Sequence, residues 1–186
     1  MGLASPFEKE KLISGCLYTD EAILPDVRQA LEDLCGEIDF VSEPYDFSEI
    51  SPYYDGEMRG DVRRVFFSFR ELVDPAKLAD IKIATNEIEA RFADGEGRLV
   101  NLDPGLMGPG KLILATTKPA AHRIALRDGI YAELTLFYAR GDFQNLPWTY
   151  IDFRLPAVKA ILREIRRGYM AERRHKKTNR REKIKQ

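Results

Sequence analysis

Three side chains in the second half of the chain are suited to proton transfer: His122, Glu133 and Tyr131. A histidine titrates near neutral pH, and a neighbouring carboxylate can hold its ring as a general base. The tyrosine hydroxyl could serve the pair as a further proton donor. Because eleven positions separate His122 from Glu133, the chain must reverse between them for this chemistry to occur.

The dipeptide Asp128-Gly129 predicts that reversal. It is a strong two-residue hairpin turn, and it joins two β-type segments at residues 122–127 and 130–138. If the strands pair directly from the turn outward, the three polar side chains share one face of the hairpin. The other face is mainly apolar and is the predicted core side. The histidine and the glutamate would then lie diagonally on the opposite face, within reach of a hydrogen bond.

A histidine and a glutamate that face each other on a surface hairpin also need no function. Polar cross-strand pairs are a common way to cover such a surface. The geometry depends on the register too, since a slip of one residue moves every side chain to the other face. The catalytic interpretation and the surface-pair interpretation therefore both stay open at the level of the sequence.

A second polar set surrounds the segment before the hairpin and could hold an anion such as a phosphate. Its members are Asn101, Asp103, Lys111, Lys118 and Arg123. The cationic side chains would neutralise the ligand, and the aspartate could hold a metal-bound phosphate. The competing explanation is local turn chemistry, because Asp103-Pro104-Gly105 makes a good tight turn without any ligand.

One near-motif in the same region does not predict a nucleotide-binding P-loop. Residues 105–111 match G-x-x-x-x-G-K, but Leu112 stands where a Ser or Thr would hold magnesium. Pro109 also removes an amide hydrogen from the loop that would cradle the phosphates. We therefore reject this motif.

Cysteine and histidine usage gives little support to a metal site. Cys16 and Cys35 are the two cysteines, with no C-x-x-C pair, and both are predicted to be buried free thiols. With only two histidines beside them, no zinc-binding set can be assembled. A carboxylate site for magnesium cannot be recognised from spacing, and the sequence indicates no cofactor.

The charge of the chain is divided between an acidic body and a basic end. From Arg154 onward lie 13 of the 29 Lys and Arg residues but only 3 of the 30 Asp and Glu residues. Such a segment could bind RNA or DNA phosphates, or an acidic protein surface, and it could equally be a solvated end without a partner. The nucleic-acid candidates are Arg173, Arg174, Lys176, Lys177, Arg180 and Arg181.

The predicted elements run β-α-β-β-α-β through the first 102 residues. Strands are predicted at residues 11–18, 38–41, 63–73 and 98–102, with helices opening at Pro25 and Pro75. This is the order of a ferredoxin-like α+β sheet with helices on one face, here extended by the C-terminal hairpin. A last helix opens at Pro156, so we expect an α+β domain over residues 1–154 and a basic helical tail over residues 155–186, its end disordered.

The sequence predicts a cytoplasmic protein with no membrane segment. No apolar run approaches the roughly 18 residues that span a bilayer. The first residues, MGLASP, lack the basic and apolar regions of a signal peptide.

Several blocks of the chain resemble a known group of proteins. They are IDFVSEPYDF, FSFRELVDPAKLADIKIATNEIE, VNLDPG, KLILATTK, HRIALRDGIYAELTL and PWTYIDFR. The chain resembles, from about Leu12 to Arg154, the bacterial proteins grouped as domain of unknown function 4416, and the basic extension after Arg167 lies outside the resemblance. The group carries no established activity, so the resemblance implies no catalytic roles. It does place both polar sets described above in the blocks that define the group.

Two functions fit these observations. In the first, the body binds or acts on a small anionic ligand, phosphate- or nucleotide-like, with His122 and Glu133 available for acid–base work. In the second, the protein is a non-enzymatic adaptor whose basic tail binds RNA or an acidic protein partner. Clustering of the named polar residues in one concave pocket would favour the first function.

Overall fold

The structure is a computed structural model that describes residues 2–54, 56–58, 60–94 and 97–184, with the side chains of residue 94 and of residues 176–184 excluded. Within this part of the chain there are three α-helices: α1 (Leu24–Cys35), α2 (Leu78–Arg91) and α3 (Pro156–Ile184). The strands are β1 (Glu10–Tyr18), β2 (Ile38–Val41), β3 (Tyr45–Asp46), β4 (Arg63–Val73), β5 (Ala93–Asp94), β6 (Gly97–Arg98), β7 (Val100–Met107), β8 (Lys111–Thr116), β9 (Arg123–Arg127), β10 (Ile130–Ala139) and β11 (Asp142–Asn145).

One antiparallel sheet dominates the described residues. Its order is β11-β10-β8-β7-β1-β4-β2, with β3 added beside β4 and β9 added beside β10. The short strands β5 and β6 pair only with each other. The protein is therefore an α+β protein, as the sequence predicts, with a sheet that extends well beyond the first six predicted elements.

The helices α1 and α2 cover one face of the sheet. Pro25 lies in the first turn of α1, and Gly36 ends the helix with a φ of 87°, a conformation that glycine adopts without strain. Val27 and Leu31 are buried as the helical spacing predicts, but Leu34 is 41 % exposed because it lies beyond the reach of the core. Asp74 caps the short turn before α2 by accepting a hydrogen bond from the Ala76 amide, as its position before a proline predicts.

Helix α3 covers the other face. Its apolar residues Val158, Leu162, Ile165 and Tyr169 recur at helical spacing and are all buried. These residues belong to a second core cluster, which includes Phe66 and lies opposite the cluster beneath α1 and α2. The sheet is thus packed between helices on both faces rather than covered on one.

The segment Asp103-Pro104-Gly105 is not a turn. All three residues lie inside β7, which is longer than the predicted strand at residues 98–102. Gly105 is required here because β8 crosses it closely: a Cβ at this position would lie 2.5 Å from the Ile113 carbonyl oxygen. Proline and glycine indicate turns in most sequences, so Pro104 and Gly105 hide the continuation of the strand. Here the proline ends the pairing with β8 and the glycine allows β8 to cross closely.

The sheet splits at Pro104. Strands β7 and β8 pair only from Gly105 to Met107, opposite residues 112–114. Pro104 has no amide hydrogen to donate, so the ladder toward β8 stops there. Before this point β7 remains paired with β1, while β8 continues beside β10. A gap therefore opens between the two halves of the sheet.

The predicted hairpin exists, but its register differs from the simple prediction. Asp128 and Gly129 both have positive φ angles, 52° and 76°, as a tight two-residue turn requires. A bulge follows directly, so Tyr131 pairs with Ala125 and Glu133 with Arg123. The predicted faces are wrong: the bulge places Arg123 rather than Ile124 opposite Glu133, and Glu133, on the face expected to lie away from the core, is fully buried. Ile124 is 71 % exposed.

Candidate functional site

A cavity of about 400 Å³ occupies the gap between β7 and β8. Residues 114–118 form one wall, and Asn101 and Asp103 on β7 form the other. Helix α2, residues 47–54 and residues 150–153 close the remaining sides. The split in the sheet therefore creates the site.

Two side chains of α2 take the place of the missing strand beside β7. The Leu102 amide donates to Glu89 Oε1 at 2.9 Å, and Lys82 Nζ donates to the Leu102 carbonyl oxygen at 2.7 Å. Lys82 and Glu89 also form a buried ion pair of 3.2 Å. A buried backbone group without a partner is costly, so these two residues stabilise the open edge of β7.

Arg64 forms the floor of the cavity and bridges two carboxylates. Its Nη2 lies 2.5 Å from Asp103 Oδ2, and its Nη1 donates to Asp152 Oδ2, which also accepts from the Tyr45 hydroxyl at 3.2 Å. Burial alone would lower the pKa of Arg64, but the charges of Asp152 and Asp103 outweigh it and raise the pKa. The guanidinium is therefore a permanent cation inside the protein.

The surroundings of Arg64 fix its position closely. Phe153, Phe66 and Phe47 lie 5.1, 5.2 and 5.7 Å from the guanidinium carbon, at cation–π distances. Gly15 leaves room for the group, because a Cβ there would lie 2.8 Å from Arg64 Nη2. Within the described residues, Arg64 Nε is buried and has no hydrogen-bond partner.

Asn101 links this floor to a second group of charges. Its amide nitrogen donates to Asp103 at 3.0 Å, and its amide oxygen accepts from Arg98 at 3.1 Å. Arg98 also forms ion pairs with Glu89 and Glu57. The predicted candidates Asn101 and Asp103 thus belong to one polar network that lines the cavity.

Lys118 stands at the mouth of the cavity. Its Nζ donates to the Tyr53 hydroxyl at 2.9 Å and lies 5.0 Å from the Tyr53 ring centre. The hydrogen bond to Tyr53 is the main reason why the pKa of Lys118 is raised. Glu57 is a weaker partner at 3.5 Å, and 53 % of the lysine side chain remains exposed. Lys118 is therefore charged and accessible.

Arg123 is held beside Lys118 by three hydrogen bonds. Its Nε donates to Glu133 Oε2 at 2.7 Å, its Nη1 to the Lys118 carbonyl oxygen at 2.7 Å and its Nη2 to the Tyr150 hydroxyl at 2.9 Å. Burial lowers the pKa of Arg123, but the hydrogen bond to Glu133 and the nearby charges more than compensate. The sequence-predicted candidates Lys118 and Arg123 therefore come together at the same opening.

The structure brings His122 and Glu133 together but outside the cavity. His122 Nε2 lies 3.0 Å from Glu133 Oε2, and the imidazole stacks on Trp148 at 4.9 Å between ring centres. Neither residue lines the cavity, and neither does the half-buried Tyr131. The geometry gives the glutamate a clear structural task, since the same carboxylate oxygen holds Arg123 in place.

The remaining predicted candidates lie elsewhere. Lys111 begins β8 at the end away from the cavity and lies 3.4 Å from Glu10. Arg173 on α3 bonds to the Tyr169 hydroxyl at 3.1 Å and to Glu8, and Arg174 is exposed on the next position of the helix. Four candidates have side chains outside the described residues: Lys176, Lys177, Arg180 and Arg181.

Several cavity residues were not among the sequence-predicted candidates: Arg64, Lys82, Glu89, Arg98 and Asp152. A usable signal for Arg64 is its position directly before the apolar run VFF in the strand RRVFFSF. A charged residue at a core position needs a partner, and such a position is a candidate site residue. No comparable local signal marks Asp152, because its partner lies 88 positions away.

Across the described part of the chain, no group of three or more His, Cys, Asp or Glu side chains is arranged to hold a metal ion. No helix there has both the length and the apolarity to cross a bilayer. Cys16 and Cys35 are free thiols, as predicted, although Cys35 is only half-buried. Burial raises the pKa of Cys35 to about 12 and that of Cys16 further, so neither thiol is reactive at neutral pH.

The fold and the site define a class: an α+β protein whose antiparallel sheet opens around a cavity lined by buried ion pairs. The family model described as "Domain of unknown function (DUF4416)" matches residues 8–169, so the chain belongs to that family. Comparison with curated proteins gave no match, and neither did comparison with solved structures. The family resemblance noted in the sequence is thereby confirmed.

Proposed function

We propose that this protein binds a small anionic ligand of nucleotide size in the cavity between β7 and β8. The observation that carries the proposal is the convergence of Lys118 and Arg123 on the mouth of a cavity of about 400 Å³. Ligand sites of small molecules usually fall between about 300 and 1,000 Å³. The cavity lies within this range of volume, and its lining is rich in charged side chains.

The two mouth cations are suited to a phosphate group. Arg123 is already oriented by Glu133 and Tyr150, so little side-chain freedom would be lost on binding. Lys118 keeps half of its side chain exposed and can turn toward a ligand. Charge-assisted hydrogen bonds from such donors are stronger than those between neutral groups.

The walls behind the mouth are suited to a ring. Tyr53, Tyr54 and Tyr150 line the cavity, and the Tyr53 and Tyr54 rings meet edge to face at 5.0 Å. Burial raises the pKa of Tyr54 and of Tyr150, so both hydroxyls stay protonated across the ordinary pH range. Aromatic faces and neutral hydroxyl donors together favour a ligand with a planar polar portion.

Binding is better supported than catalysis. The ring nitrogen of His122 that faces the interior is engaged by Glu133, and the histidine does not line the cavity. A general base must reach the proton it removes, at hydrogen-bond distance or through one water. The acid–base role of His122, Glu133 and Tyr131 therefore stays a prediction from the sequence, whereas the anion-binding role of Lys118 and Arg123 is the one we propose.

The proposal is tested by titrating the protein with adenosine 5′-phosphate in a calorimeter. Lys118→Ala should weaken binding about tenfold or more, because a charged hydrogen bond contributes roughly 1.5–3 kcal/mol. Lys111→Ala is the matched control, since this lysine at the start of β8 lies away from the cavity. Equal effects of the two substitutions, or no binding to the wild-type protein, would contradict the proposal.

A second candidate function is binding of RNA or an acidic protein by the basic end of the chain. The observation that favours it is the length of α3, which continues to Ile184, well beyond Tyr169, the last buried residue among the side chains that the structure describes on this helix. A helix of this kind would present its basic residues in a regular array to a phosphate backbone. This function would use a different part of the molecule and is compatible with a ligand in the cavity.

We also interpret the centre of the sheet as a ferredoxin-like unit. The order β7-β1-β4-β2 and the position of α1 and α2 on one face support this interpretation. In that arrangement the cavity lies where the added strands β8, β10 and β11 diverge from the unit.

A further inference from the structure

Lys82 and Glu89 bond to the open edge of β7, but no side chain among the described residues bonds to the open edge of β8 in this way. In an antiparallel sheet each residue points its N–H and C=O to one neighbouring strand, and the next residue points both to the other. Leu102 points toward the gap, since Lys82 and Glu89 bond to its backbone there. By alternation Pro104 and Leu106 also point toward β8.

The same alternation fixes the edge of β8. Leu106 pairs with Ile113, so Ile113 and Ala115 point back toward β7. Pro104 stands opposite Ala115 and cannot donate to its carbonyl oxygen. Two residues further on, just past the end of β8, Thr117 lines the cavity, and no described group bonds to its amide. Continued one residue beyond the strand, the alternation directs the Thr117 N–H to the gap beside the Ala115 C=O.

These two groups form an acceptor and a donor on one edge of an extended backbone. A neighbouring strand that ran parallel to β8 would bond to both through a single residue. Here the edge borders the cavity, because residues 114–118 line it without interruption. A planar ring that carries a donor beside an acceptor can replace the missing strand, as the amino group and adjacent ring nitrogen of adenine would.

We propose that this edge binds the heterocycle of a nucleotide, with the Ala115 carbonyl accepting from the ring's amino group and the Thr117 amide donating to the ring nitrogen. The inference rests on the proposed function, because it places the ring of the same anionic ligand whose phosphate meets Lys118 and Arg123. The order along the chain supports this placement: Ala115 is buried, Thr117 is exposed, and Lys118 follows directly at the mouth.

The competing possibility is that water alone satisfies the edge, as it does on many strands at a surface. Two features of the gap favour a ligand. The protein closes the β7 edge with a buried Lys–Glu pair yet leaves the β8 edge open to the same space. The Ala115 end of that edge is also 3 % exposed, deep enough for an unmade hydrogen bond to matter.

The test compares three ligands by calorimetry on the wild-type protein. Adenosine 5′-phosphate offers the full ring edge, purine riboside 5′-phosphate lacks the amino donor, and ribose 5-phosphate lacks the ring. Affinity should fall about tenfold on loss of the amino group and further on loss of the ring. Equal affinities for all three would overturn this inference and leave the anion site intact. Absence of binding by all three would overturn the proposed function itself.

A backbone substitution provides an independent check. Thr117→Pro removes the amide hydrogen, and its preceding residue already has the extended conformation that a proline requires. Thr117→Ala removes the side chain but keeps the amide and serves as the matched control. The proline variant should bind adenosine 5′-phosphate about tenfold more weakly and ribose 5-phosphate unchanged. Unaltered binding of adenosine 5′-phosphate would contradict the inference, and the three-ligand comparison decides the question if the proline variant does not fold.

Discussion

At the scale of single residues, Arg64 is the group on which the cavity depends. It is 3 % exposed, and it neutralises two carboxylates that no other described cation contacts as closely. Charges in the interior are stabilised only when they are paired and hydrogen-bonded. The three surrounding phenylalanine rings and the absence of a side chain at Gly15 complete its pocket. Loss of the guanidinium would leave Asp103 and Asp152 facing each other without a cation between them.

Arg64→Met should therefore lower the free energy of unfolding by about 3–5 kcal/mol, the usual effect of removing one partner of a buried ion pair. The control is Arg70→Met, on the same strand β4, where Arg70 forms an exposed ion pair with Glu37. The control should be as stable as the wild type in urea denaturation. If Arg64→Met is equally stable, the ion-pair network does not hold the cavity together.

At the scale of elements, the site exists because the pairing between β7 and β8 ends at Pro104. Gly105 sets the crossing point, since its missing side chain lets the Ile113 carbonyl approach. On the Leu102 side of Gly105, Lys82 and Glu89 of α2 bond to the backbone of β7 where a neighbouring strand would otherwise bond. The hairpin of β9 and β10 then carries Arg123 to the mouth through its pairing with Glu133.

Gly105→Ala should destabilise the fold by about 1–3 kcal/mol, the usual cost of overpacking a tight contact. Gly110 offers a matched control in the loop between the same strands, because no atom lies within 4 Å of a Cβ built there. The two alanine variants should differ clearly in thermal unfolding. Equal melting temperatures would show that β7 and β8 do not cross as closely as described.

Features that depend on neighbouring residues could be predicted from the sequence, and features that depend on distant residues could not. The Asp128-Gly129 turn, the strand β4 and the helix starts at proline all follow from short-range chemistry. The bulge after the turn does not, and direct pairing from the turn puts Glu133 opposite Ile124 instead of Arg123. The cavity floor was missed for a similar reason. Arg64 contacts Asp103 and Asp152, which lie 39 and 88 positions further along the chain, only in the folded protein.

At the scale of the whole molecule, the basic C-terminal helix forms ion pairs with the acidic part of the chain that precedes it. Arg163 pairs with Asp142 at 2.8 Å, and Arg173 pairs with Glu8. Arg166 donates to the Pro109 carbonyl oxygen at 2.7 Å and stacks on Tyr138. The first basic residues of α3 therefore bind the body itself, which leaves any nucleic-acid role to residues further along the helix.

Deletion of residues 176–186 should separate the two candidate functions. It leaves Arg173 and the described anchors of α3 in place, so the cavity should bind its ligand as before. Retention on immobilised RNA at low salt should fall if the basic end is an RNA-binding element, because phosphate contacts release counterions. Unchanged retention would contradict that role. A loss of ligand affinity would show that the two functions are not separate.

The central claim, that the cavity is a binding site, is tested most directly by nuclear magnetic resonance. Adenosine 5′-phosphate is titrated into uniformly ¹⁵N-labelled protein, and chemical-shift changes are mapped onto the structure. The largest changes should fall on the amides of Thr117 and Lys118 and on the Arg64 Nε–H, which is buried beneath the cavity and has no described partner. Changes confined to α3, or none at saturating concentration, would contradict the claim.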